Sequence, residues 1–135
     1  MEHKKHIQSA IDYIENNLCK TITLDEIAQK SYFSEFHFHR LFRKIVGTSV
    51  MDYVRRRRLC EAAKELVGTN VKITNIAFKY QFSSEEAFSR AFKKNYGSSP
   101  RDYRNTRNKL DDTRNESRFI QPLASSSINT VRRAA

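Results

Sequence analysis

The feature that most constrains this chain is that it repeats itself. Ile27-Ala28 returns as Ile76-Ala77, and Phe33-Ser34 as Phe82-Ser83, forty-nine positions later in both cases. One residue is then inserted in the second copy. After it, Phe38, Arg40, Phe42, Lys44, Gly47, Ser49, Asp52 and Tyr53 return as Phe88, Arg90, Phe92, Lys94, Gly97, Ser99, Asp102 and Tyr103. Identities held in one register over such a length describe a duplicated unit of about fifty residues, so the same local structure must be built twice.

Each copy reads as helices. Ile7, Ala10, Ile11, Ile14 and Leu18 recur at helical spacing over about 5–18. Thr23 is placed to cap a short helix starting at Leu24, and Glu26 at its third position completes a capping box. After the turn Ser31-Tyr32-Phe33, Ser34 caps a second helix. Its Phe38, Leu41, Phe42 and Ile45 form an i, i+3, i+4, i+7 stripe, and Gly47 stands where a left-handed residue ends a helix. The second copy has Ile73, Ile76, Ala77 and Tyr80, the cap Ser84, the stripe Phe88, Ala91, Phe92 and Asn95-Tyr96, and the terminator Gly97. A longer helix over about 50–66 joins the copies, and Pro100 opens a last short helix through Tyr103. Three Gly and two Pro are too few for a strand-rich chain. The expected fold is therefore all-α and homeodomain-like, with about seven helices. Two helix-turn-helix subdomains, about 5–48 and 70–107, and the connecting helix make up one body over 1–110. From 111 to 135 the chain is polar and aperiodic, with Ser125-Ser126-Ser127, and reads as a flexible tail. Phe119, Ile120 and Leu123 are candidates to dock that tail on the body.

A short helix, a tight turn and a second amphipathic helix make a helix-turn-helix, whose second helix reads base edges in the major groove of DNA. The outward faces of the two second helices carry the relevant chemistry. Opposite Phe38 and Phe42 lie Phe36, His39, Arg40 and Arg43; the matching face of the second copy holds Glu86, Ser89, Arg90 and Lys93. Arg40 and Arg90 hold the same place in both copies, and arginine bridges guanine O6 and N7. Phe36 is an aromatic on a wet face, suited to a thymine methyl or the sugar backbone, although a lone exposed Phe is ordinary. Glu86 can accept from cytosine N4 or pair with Arg90 four residues on. The base-reading candidates are thus Phe36, His39, Arg40, Glu86, Ser89 and Arg90. Ser34, Arg43, Lys44, Ser84, Lys93 and Lys94 suit phosphates, which position a protein without reading sequence.

Charge agrees with an acidic partner. Twenty-five Lys and Arg against 15 Asp and Glu give +10 and a pI near 9.9. The run Arg55-Arg56-Arg57-Arg58 points around the whole circumference of a helix, so only one or two of the four are expected at phosphate. The spacing lets Asp52 pair with Arg56 and Arg57 with Glu61. Other classes are disfavoured. His37 and His39 are too far apart around a helix to share an ion, and His3 and His6 lack further ligands, so no metal site is expected. Two cysteines, Cys19 and Cys60, are too few for a disulfide framework. No Gly-rich phosphate loop or nucleophile–base set indicates an enzyme or a cofactor. No apolar run approaches the roughly 18 residues of a membrane span, and the start lacks a secretory pattern, so a cytoplasmic protein is expected. A connecting helix of about 17 residues spans roughly 25 Å. That suits two reading helices near one DNA turn apart, in successive major grooves of an asymmetric site of roughly 20 bp. The alternative is a protein-interaction adaptor that keeps the fold with weakened DNA reading, an idea that rests on Glu85 and Glu86.

Residues 24–103 resemble the DNA-binding domain of the AraC/XylS family. The likeness is carried by Ile27-Ala28, Ser34, Phe38-x-Arg40-x-Phe42, Gly47, Tyr53, Arg58-Leu59-x-x-Ala62, Ile76-Ala77, Phe82, Phe88-x-Arg90-x-Phe92, Gly97, Ser99-Pro100 and Tyr103-Arg104. The resemblance implies a monomeric, nucleoid-associated bacterial transcription activator that binds promoter DNA, recruits RNA polymerase and controls antibiotic-resistance and stress genes. By position, Phe36 stands where the family has a tryptophan, His39 a glutamine and Arg40 an arginine; Ser89 matches a threonine and Arg90 an arginine. Glu85 and Glu86 depart from paired glutamines.

Overall fold

In the computed structural model the described residues are 2–109, and they are all-helical. The helices are α1 (Glu2–Glu15), α2 (Leu24–Ser31), α3 (Glu35–Val46), α4 (Val50–Gly68), α5 (Ile73–Lys79), α6 (Glu85–Tyr96) and α7 (Pro100–Lys109). The seven-helix, all-α expectation agrees with this. The expected tail, with its docking residues, lies outside the described residues.

The local signals explain most boundaries. The Thr23 hydroxyl accepts from the Glu26 N–H (3.1 Å) and the Glu26 carboxylate accepts from the Thr23 N–H (3.0 Å), a complete capping box at the start of α2. Ser34 and Ser84 cap α3 and α6 by accepting from the N–H groups of His37 and Ala87. Gly47 and Gly97 end the same helices in the left-handed region, at φ 97° and 81°. Three ends differ from expectation. α1 stops at Glu15 rather than near Leu18, because the Asn17 side chain donates to the Tyr13 carbonyl (2.7 Å) and competes with the helix. α4 runs two residues past the expected 66. α7 continues beyond Tyr103 to Lys109, opened by Ser99, whose hydroxyl accepts from the Asp102 N–H.

The described chain divides after Arg57, inside α4, into two compact units. The core of the first unit takes Ile7, Ala10, Ile11 and Ile14 from α1, Ile27 and Ala28 from α2, Phe38, Phe42 and Val46 from α3, and Val50, Tyr53 and Val54 from the start of α4. Burying each large apolar side chain contributes about 1.5–3 kcal/mol before chain entropy is subtracted. Beside this core Arg57 is buried. Its Nε and Nη2 donate to the two carboxylate oxygens of Glu15 at 2.7 and 2.9 Å, tying α4 to α1.

The second unit is built from Leu59, Ala62, Ala63 and Leu66 of α4, Ile76, Ala77 and Tyr80 around α5, Phe88 and Phe92 of α6, and Tyr103 of α7. No single apolar stripe runs the length of α4, because its residues serve two cores in succession. Arg104 donates to the carbonyls of Leu66, Thr69 and Val71 and satisfies the end of α4. Glu65 accepts from Lys79 (2.6 Å) and Tyr80 (2.5 Å).

The copies agree in detail. Phe42 meets Tyr53 edge-to-face at 5.6 Å in the first unit, and Phe92 meets Tyr103 edge-to-face at 5.2 Å in the second. Ser49 caps the start of α4 by accepting from the Asp52 N–H, as Ser99 does for α7. Each copy also places a non-glycine residue in the left-handed region at the same point of its turn, Tyr32 at φ 65° and Gln81 at φ 70°.

Candidate nucleic-acid interface

The outward face of α3 follows from its capped start and its inward stripe. With Phe38 and Phe42 fully buried, the period turns Phe36 and Arg40 to solvent. Phe36 is 71% exposed, and the Arg40 guanidinium lies 5.5 Å from the centre of its ring. The ring therefore braces the arginine through a cation–π contact. These two residues, with His37, Leu41 and Lys44, line an open groove of about 450 Å³. His39 is half-buried to one side, and Arg43 and Lys44 are exposed in the last turn. Ser34 is exposed at the start of α3, where its capping bond leaves the hydroxyl proton to donate.

The sequence reading missed His37. It lines the groove and stacks on Phe33, with ring centres 4.7 Å apart. His6 also lies against Phe33, at 5.0 Å, and His3 lies 6.1 Å from His37. The signal available was His37 three residues before Arg40 and seven before Lys44, on the flank of the reading face. Among the described residues no group of three His, Cys, Asp or Glu side chains could hold a metal ion.

On α6, Glu85, Glu86, Ser89 and Arg90 line a second open groove, of about 480 Å³. Glu86 and Arg90 are exposed and Ser89 is half-buried. The ion pair that the spacing allows between Glu86 and Arg90 is not formed; neither side chain has a partner within the described residues. Glu85 differs, since it accepts a hydrogen bond from the Thr74 hydroxyl of α5. Ser84 holds the start of α6, while Lys93 and Lys94 are exposed in its last turn. A neighbouring surface depression of this unit is lined by Lys72, Thr74, Glu85, Arg101 and Arg104 among others, so the second face keeps a basic margin.

The arginine run divides as a helix requires, and the partner of Asp52 differs from the one the spacing suggested. Arg55, not Arg56, pairs with Asp52, at 3.7 Å and with both side chains 55% exposed, a contact worth little. Arg57 is held by Glu15 across the first unit. Two groups away from both faces have shifted pKa values. Burial pushes the Glu65 carboxyl up, but the hydrogen bonds from Lys79 and Tyr80 outweigh it and leave the group below its ordinary value. Burial raises the Tyr103 phenol, against the nearby Arg107.

Two capped helix-turn-helix units, each presenting an arginine at the same place on an exposed helix face, define a DNA-binding regulator rather than an enzyme. The comparisons agree. The family described as "Helix-turn-helix domain" matches residues 27–106. The chain is 49% identical over 98 residues to the HTH-type transcriptional activator AarP of Providencia stuartii, covering 73% of each chain. It is 35% identical over 117 residues to the multiple antibiotic resistance protein MarA of Escherichia coli K12, covering 87% of this chain and 88% of the relative. A crystal structure of an AraC-type transcriptional regulator from Chromobacterium violaceum superposes with a TM-score of 0.74 at 28% identity, covering 77% of this chain and 93% of that one. The chain belongs to the AraC/XylS family of helix-turn-helix transcriptional regulators. No helix of the described residues is long and apolar enough to cross a membrane.

Proposed function

We propose that this regulator is a transcription activator that works as a monomer in the bacterial cytoplasm. It binds an asymmetric promoter site of roughly 20 bp, with α3 and α6 in successive major grooves, and recruits RNA polymerase. The observation that carries the reading is the inequality of the two exposed helix faces. On α3, Arg40 is braced by Phe36 and flanked by His39, so it is preorganised to bridge a guanine while Phe36 meets a neighbouring thymine methyl. On α6, Arg90 is the matching reader, with Ser89 and Glu86 beside it. Ser34, Arg43 and Lys44 on one helix, and Ser84, Lys93 and Lys94 on the other, hold phosphates. Different faces read different half-sites, so the whole site has no dyad. The names of the relatives AarP, an activator, and MarA, a multiple antibiotic resistance protein, support an output in antibiotic-resistance and stress genes.

The test is affinity for a selected site and for random duplex, each over a range of salt. Arg40→Ala is expected to weaken the selected site by about 1–3 kcal/mol while random duplex loses less. Equal losses on both would remove base reading from Arg40. Affinity that does not fall as salt rises would favour the adaptor instead, because released counterions mark phosphate contact.

A further inference from the structure

We propose that Glu86, and not Glu85, sets the base preference of α6 by selecting a cytosine in the half of the site that this helix meets. The inference rests on α6 being a DNA-reading helix. The two glutamates are adjacent and chemically identical, yet the fold treats them differently. The Glu85 carboxylate accepts from the Thr74 hydroxyl and borders the depression that holds Lys72 and Arg101. It is engaged within its own unit. Glu86 is exposed and has no partner among the described residues; it lines a groove with Glu85, Ser89 and Arg90, the last two being three and four residues on and so on its own face.

A carboxylate carried into the major groove loses water in a field of phosphates, which is unfavourable unless a donor replaces that water. Guanine and thymine offer it only acceptors. Adenine sets its N6 donor beside the N7 acceptor, which repels the second carboxylate oxygen. Cytosine offers the N4 amino group with no acceptor beside it on the same base. Glu86 therefore rejects three bases and tolerates one. Arg90 has the opposite demand and takes guanine O6 and N7. One helical turn separates the two side chains, about 5.4 Å along the axis. The cytosine and the guanine accordingly fall within about two base-pair steps of each other. The carboxylate lowers affinity for most sequences and sharpens the choice among them, which is how an acidic residue can persist on a DNA-facing helix.

Selection of bound duplexes from a random library tests this, run with the full chain as wild type, Glu85→Gln, Glu86→Gln and Arg40→Ala. Wild type is expected to enrich cytosine at one position of the α6 half-site about tenfold over the other bases. Glu86→Gln is expected to lose that enrichment and gain adenine, whose N6 and N7 match a glutamine amide. Glu85→Gln keeps the wild-type preference. If Glu86→Gln retains cytosine, or if Glu85→Gln shifts the preference instead, the inference is overturned, while an enriched half-site that disappears with Arg40→Ala leaves the regulator reading intact. A wild-type library with no enriched sequence sinks both.

Discussion

Replacing Arg57 with methionine is expected to cost about 3 kcal/mol of stability. The magnitude comes from the geometry of the pair. Two charge-assisted bonds of 2.7 and 2.9 Å join Arg57 to Glu15, and the side chains are only 9% and 17% exposed. Screening by water is therefore weak, and breaking a buried pair from one side costs about 3–5 kcal/mol because the remaining charge is stranded. Glu15 keeps a little solvent contact and can recover some hydration, which places the estimate at the low end. Methionine retains most of the arginine stem, so packing changes little. Against a total of about 5–15 kcal/mol this is a large share, equivalent to a fall in Tm of roughly 12 °C. Urea and thermal unfolding followed by circular dichroism measure it. The decisive variant is the double one. Glu15→Leu with Arg57→Met removes both charges and is expected to lie within about 1–2 kcal/mol of wild type, giving a coupling energy above about 2 kcal/mol. Single losses below about 1 kcal/mol that simply add would mean the pair is a hydrated surface contact and would refute the argument.

Two other outcomes follow from features of each unit. Gly47→Ala is expected to lower stability by about 1–2 kcal/mol, purely through backbone strain at φ 97°, because an added Cβ meets nothing within 4 Å; an unchanged melting curve would count against that cause. The depressed Glu65 carboxyl stabilises the fold above the unfolded carboxylate value of about 4.3, and that contribution is lost as pH falls through its lower folded value. Glu65→Gln should therefore flatten the stability profile on the acid side of about pH 4.3 and leave its slope at neutral pH alone, as melts from pH 3 to 7 would report.

What could be read from the sequence was whatever is encoded locally. Thr23 with Glu26, Ser34, Ser84, Gly47 and Gly97 mark helix ends within four residues, and each does in the structure what its position implies. Signals that depend on distant partners were invisible. Arg57 sits in a run of four arginines, and only folding brings Glu15 to it from 42 residues away. Glu85 and Glu86 look alike until Thr74, eleven residues earlier, claims one of them. Tyr32 and Gln81 hide a left-handed turn that a glycine would have announced. The early end of α1 reflects a competition between the Asn17 side chain and the helix, which apolar spacing does not register.

The repeat period and the compact unit do not coincide, and α4 is the reason. Its opening turns, with the Ser49 cap and Tyr53 against Phe42, correspond to α7, with the Ser99 cap and Tyr103 against Phe92. Its later turns open the second unit, as α1 opens the first. α4 is thus the last helix of one copy fused without a break to the first helix of the next. Joining tandem copies in this way requires no designed linker, only that one helix fail to stop. The architecture is in that sense extensible: a third reading module could be appended by prolonging α7, and dissecting the protein at its sequence repeat, after Gly47, would strip the first module of Val50, Tyr53 and Val54.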